Sequence, residues 1–147
     1  MISFSSILLL LHLIGLALGI GAATVKLALV VKCNTDYTFV PYYSKVSKPI
    51  TRFIVLGVML LTFSGIIWLI QGYPFTLRLI IKLVLVLAIW GLGMFIDNVI
   101  EPKFHKLSPK SDQPASPEFV RIQKKHLALE IIATVIFYAV IVYWVLT

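Results

Sequence analysis

The sequence predicts an all-α membrane protein, a four-helix transmembrane bundle with both termini outside. Three observations carry this. Four long apolar runs fill most of the 147 residues, and the chain is 60% hydrophobic but only 13% charged. The mean hydropathy is +1.00, far above that of a soluble domain. The basic residues gather in two of the three connections between the runs. A bilayer core takes about 20 apolar residues per helix. Four such helices with short connections make one transmembrane domain, residues 1–147, with no room for a soluble catalytic unit.

The first helix is expected over about 4–31, longer than a minimal span and free to tilt. Met1–Ser6 has no Lys or Arg, and the run exceeds the roughly 7–15 residues of a signal-peptide core, so it is read as an uncleaved helix. A loop over about 32–50 leads to the second helix, about 51–71, with Pro49 near its start, where proline is tolerated. Gly72-Tyr73-Pro74 signals a tight turn before the third helix, about 75–96. The segment 97–124 is read as a loop, because Pro102 to Pro117 holds four prolines, several charges and Ser-Pro steps. The fourth helix is expected over about 125–146.

Charge supplies orientation. The first connection carries Lys32, Lys45, Lys48 and Arg52 against Asp36; the last carries Lys103, Lys106, Lys110, Arg121, Lys124 and Lys125. The turn between helices 2 and 3 has no charge before Arg78. The positive-inside rule places both basic loops in the cytoplasm, as in a multi-pass protein of a bacterial inner (plasma) membrane. The net charge of +7 then needs only lipid as partner. No nucleic acid is expected, since the loops lack aromatic interleaving. Cys33 is the single cysteine, so no intrachain disulfide can form.

Ionisable groups within apolar runs are the candidate functional residues. His12, Gly15, Gly19, Ala22 and Lys26 fall on one helical stripe. That stripe reads either as a small-residue packing seam whose histidine bonds across a helix pair, or as a wall where glycines make room for a flat ring beside an imidazole ligand. Counting at about 1.5 Å per residue, Lys82 reaches the level of His12, with Arg78 one turn above it. One imidazole and two cations would suit a carboxylate or a porphyrin propionate, although Arg78 and Lys82 can also snorkel to headgroups. A second set, Lys26, Asp97, His126 and Glu130, belongs to the cytoplasmic side, as a helix-tethering ion pair or the start of a proton path. His12 and His126 come from opposite leaflets and do not bracket one metal. Helical His-x-x-x-His, Cys-x-x-Cys, Ser-His-Asp, P-loop and Rossmann patterns are missing. His105 falls in the expected loop.

Leu11-His12-Leu13-Ile14-Gly15, followed by Gly19, Gly21, Ala22 and Ala23, resembles the first helix of small bacterial membrane proteins of the CopD/HemJ-like kind. Arg52-Phe53 with Thr62 and Ser64-Gly65, then Lys82-Leu83-Val84-Leu85-Val86-Leu87 and Glu130, are similar to their later helices. The resemblance implies haem b and porphyrinogen oxidation, with His12 as the iron ligand, Lys82 as the basic helix 3 residue and Glu130 as the helix 4 acid. The chain departs from that pattern at Trp90-Gly91, where a second helix 3 histidine would stand. It departs again at Leu129-Glu130-Ile131-Ile132, which replaces Asn-Glu-x-Pro.

Two functions are therefore expected. One is a haem-linked redox protein, with His12, Gly15, Gly19, Arg78 and Lys82 around the cofactor and Glu130 or His126 handling protons. The other is a non-enzymatic accessory or assembly subunit of a larger membrane complex, or a homo-oligomer built on the helix 1 glycines.

Overall fold

The computed structural model describes residues 3–109 and 114–146, all helix and connection with no strand. Lys110, counted above among the loop charges, lies outside the described residues. Helix α1 spans Phe4–Thr35 and α2 spans Val40–Ile70; α3 covers Leu77–Phe95, α4 Glu101–Leu107 and α5 Pro117–Leu146. Helices α3 and α4 join through a wide π turn, Ile96–Ile100, and form one rod. Four helical segments, Phe4–Thr35, Tyr37–Ile70, Leu77–Leu107 and Pro117–Leu146, are thus long and apolar enough to cross a membrane.

Every helix runs further toward the basic end than its apolar run. Ser3 caps α1 by accepting from the Ser6 amide at 3.1 Å. At the other end the 32–50 loop expected from the sequence shrinks to a corner at Asp36 and a short 3₁₀ turn, Tyr37–Phe39. The Asp36 carboxylate accepts from the Thr38 hydroxyl at 2.6 Å and the Thr38 amide at 3.0 Å. The Thr38 hydroxyl, with its amide and the Lys32 ammonium, holds that carboxyl below the usual carboxylate range.

Helix α2 continues through Pro49 and starts eleven residues before the expected 51. Val40, Tyr43 and Ser47 are buried while Lys45 and Lys48 face out, an amphipathic helix that the charges disguised as loop. Gly72 takes the left-handed conformation (φ 88°) and turns the chain toward α3, whose first turn Thr76 caps. The expected 97–124 loop is likewise mostly helix. Its first part continues α3 to Leu107, and its last part opens α5, where the Ser116 hydroxyl accepts from the Phe119 amide ahead of Pro117.

Two cores result. One, at the basic end, packs Val30, Cys33, Val40, Tyr43, Phe104 and Phe119. The other lies between the apolar spans and holds Ala23, Val58, Ile89 and Phe137. Helices α1 and α2 pack most closely, glycine to glycine. A Cβ on Gly57 would meet the Gly19 amide nitrogen, and would stand 2.6 Å from Gly19 Cα and 2.7 Å from Gly15 O. Helices α2 and α3 barely touch, each leaning instead on α1 or α5.

Candidate functional site

Lys26 sits on the buried stripe of α1, only 2% exposed, where the two cores meet. Its ammonium donates to Thr51 Oγ1 of α2 at 2.9 Å and to Asp97 Oδ1 in the π turn at 3.1 Å. It also pairs with Glu130 Oε1 of α5 at 3.2 Å and Glu101 Oε1 of α4 at 3.7 Å. One cation thus ties α2, the π turn, α4 and α5 to α1. An ammonium has three protons to give, and these oxygens use them all. Two carboxylate charges remain that Lys26 cannot balance.

Neighbouring side chains enlarge the cluster. Tyr43 donates its buried hydroxyl to Glu101 Oε1 at 3.2 Å. His126, fully buried against Tyr43 and Phe104, lies with Nε2 3.3 Å from Glu130 Oε1. A proton on Nε2 satisfies that contact, while Nδ1 has no hydrogen-bond partner among the described residues. His105 is not a loop residue. It lies on α4, with Nδ1 2.9 Å from Ser44 Oγ and Nε2 3.4 Å from Ser47 Oγ.

Two cavities open on this cluster. A cleft of about 360 Å³ lies between α2 and α3; Val58 and Trp90 line its sides, and Lys26, Asp97, Glu130 and Thr134 its polar floor. A second cavity, about 450 Å³ and lined by Lys48, Thr51, Arg52, Asp97, Glu101 and His105, faces the basic end. Asp97 walls both. Thr134 is 5% exposed, and its Oγ1 has no hydrogen-bond partner among the described residues. That is unusual here, because Thr24 and Thr62 each donate to the carbonyl four residues back in their own helix.

The residues expected around a porphyrin are placed differently. His12, half-buried, faces Ser64 of α2, with Nδ1 to Oγ at 2.7 Å and Trp68 beside its ring. Ser64 donates its single proton to the Leu60 carbonyl at 2.7 Å, so it accepts from His12 Nδ1–H. Nε2 then carries the lone pair, the arrangement of an imidazole that ligates a metal. The glycines of the same stripe, however, face the neighbouring helix. Gly15 and Gly19 lie against Gly57, and a Cβ on Gly15 would stand 2.8 Å from Leu60 Cβ. The same packing makes the glycine seam an internal contact, not a surface left for a second copy. Lys82 is half-buried with Nζ 4.4 Å from the centre of the Trp144 ring, and Arg78 is exposed. None of His12, Arg78 and Lys82 lines either cavity. Both of these cavities therefore lie away from His12.

Lys26, Asp97, His126 and Glu130, by contrast, do come together. Glu101, Tyr43, Thr51 and Thr134 join them without having been singled out from the sequence. Glu101 had one available signal, its spacing of four from Asp97, which assignment to a loop concealed. No group of three or more His, Cys, Asp or Glu among the described residues is arranged to hold a metal ion; the Lys26 ammonium stands at the centre of the carboxylates. Comparison with protein-family models, with characterised proteins and with solved structures found no match.

Proposed function

We propose that the chain is a multi-pass protein of a bacterial inner membrane, with both termini outside. Its function is to bind and relay protons between an aqueous cavity at its cytoplasmic, basic end and a cleft open to the bilayer. The observation that carries this reading is Asp97, which walls both cavities while bonded to Lys26. Buried charge without a partner is costly, so three carboxylates about one ammonium favour holding a proton. Asp97 and Glu101 meet the basic-end cavity, Glu130 and Thr134 meet the cleft, and Lys26 bridges the two sides. A proton passes from one carboxylate to another as the ammonium shifts its bonds between them. The charged or titratable groups facing this route are Lys48, Arg52, Tyr43 and His105 at the basic end and His126 on α5.

The test is proton uptake by purified protein after a pH jump across about pH 5 to 8, followed with an indicator dye. Infrared difference spectra of the same sample report protonated carboxyl groups. Uptake with a carboxyl band that Glu130→Gln alters supports the relay. A cluster that takes up nothing across this range is a static tether.

A second reading rests on His12, whose Nε2 lone pair suits an axial ligand. In it, haem b binds at an interface between this chain and a partner subunit, so the redox and accessory-subunit roles coincide. A stoichiometric Soret band lost in His12→Ala supports this reading, and a colourless, folded sample supplied with haem removes it.

A further inference from the structure

The cleft between α2 and α3 has more hydrogen-bond acceptors than donors. The Lys26 protons go to Thr51, Asp97 and Glu130. Asp97 and Glu130 each meet Lys26 through one oxygen, and their second oxygens remain as acceptors. Thr134 lines the cleft, and its buried Oγ1 has no partner among the described residues, although a threonine in a helix can satisfy itself on its own backbone. A buried polar atom left in this way marks a place where something else bonds. An anionic headgroup is disfavoured, since it would face carboxylates with no free donor to receive it.

The walls narrow the choice of ligand further. Above the polar floor they are apolar, with Val58, Ile89 and Phe137 beside the Trp90 indole. Trp90 donates Nε1–H to Thr62 Oγ1 at 3.1 Å, which ties the ring in place across the cleft. Fixed aromatic faces attract organic cations. Helices α2 and α3 scarcely touch, so the way in lies between two lipid-facing helices, open to a molecule already dissolved in the bilayer. The volume of about 360 Å³ suits a compact ligand.

We infer that this cleft binds an amphiphilic cation, a protonated amine on an apolar body, in exchange for a proton held at Asp97. The inference rests on the proton-binding reading above and names the ligand class of the same site. The ammonium head lies among Thr134, Asp97 and Glu130, and the apolar body lies along Trp90. One positive charge enters from the bilayer and one proton leaves through the basic-end cavity, so the charge of the cluster is unchanged.

The experiment is calorimetric titration of the purified full-length protein in maltoside micelles with benzylammonium, a cation with three N–H donors that stays protonated across about pH 5 to 8. Ethylbenzene serves as its uncharged analogue. Repetition in buffers of different ionisation enthalpy counts the protons released. Saturable binding of the cation alone is expected, with a proton released. Affinity should rise about tenfold for each unit increase in pH wherever proton and cation exchange one for one, because the proton leaves as the cation binds. Thr134→Val, which keeps the shape and removes the hydroxyl, should weaken binding several-fold, and Asp97→Asn should abolish the proton release. Equal binding of the neutral analogue, binding without proton release, or full affinity in Thr134→Val overturns the inference. If the cation fails to bind while the ligand-free protein still takes up protons after a pH jump, the inference falls alone. If proton uptake is absent as well, the relay falls with it.

Discussion

Removing the Lys26 ammonium would leave Asp97, Glu101 and Glu130 facing one another in a site where the lysine itself is 2% exposed. Breaking a buried ion pair on one side costs about 3–5 kcal/mol. Lys26→Met is therefore expected to lower the melting temperature in detergent sharply, and Glu130→Gln in the same chain to restore part of the loss. A Lys26→Met protein as stable as the parent would show that the cluster does not hold the helices together. Gly57 makes the opposite kind of contact, by absence of a side chain. Its Cβ would strike the Gly19 backbone, where no rotamer can yield. Gly57→Ala should cost about 1–3 kcal/mol by overpacking, read in the same melting assay. Gly21→Ala, where nothing lies within 4 Å, should be neutral or slightly stabilising. Helical spacing made the Gly15 and Gly19 side of this seam legible in the sequence. It gave no means of choosing Gly57 as the partner, because register between two helices is a tertiary fact. Lys26, Asp97, His126 and Glu130 were legible for a simple reason: charge within an apolar run draws attention. Glu101 and Tyr43 lie beyond the apolar runs, among lysines and prolines, and carried no such contrast.

The extended ends of the helices build the cluster, and their departures from regular geometry set its aim. Pro102 has no N–H, and in a regular helix its ring would press on the carbonyl four residues back, that of Asn98. The chain widens there into the π turn, and the Glu101 amide bonds to Ile96 O instead. One extra residue in a turn rotates all that follows by about 100°. This rotation turns Glu101 toward Lys26 and His105 toward Ser44. Pro102→Ala allows the regular helix to return and should swing both away. In a Cys33→Ser background, Ser44→Cys with His105→Cys should cross-link readily, and adding Pro102→Ala should suppress the bond. Equal cross-linking would mean that packing, not the proline, holds the turn. The sequence showed Pro102 and Pro49 plainly, but proline beside lysine reads as loop. In the bundle the spacing of Val40, Tyr43 and Ser47, and of Phe119, Gln123 and His126, outweighs that local signal.

Helix α1 has 32 residues, so it is about 48 Å long. A bilayer core is about 30 Å thick, and the surplus length projects at the end where the lysines lie. Counting from Phe4, Lys26 comes about 33 Å along the helix. With Phe4 at one edge of the hydrocarbon, that position falls at the other edge, with the cleft on one side of it and the Lys48–Arg52 cavity on the other. The side of the membrane that reaches the cluster is therefore fixed by the orientation of the whole chain. Tyr73, in the short turn, and Lys103, on α4, are both exposed and lie at opposite ends of the bundle. With Cys33→Ser as background, a cysteine at position 73 should react with a membrane-impermeant maleimide on intact cells. A cysteine at position 103 should react only after permeabilisation, as the positive-inside rule expects of the basic loops. The reverse pattern would invert the bundle and open the Lys26 cluster to the exterior. Protons would then reach Asp97 from outside, and the exchange with a lipid-borne cation would run against the opposite face of the membrane.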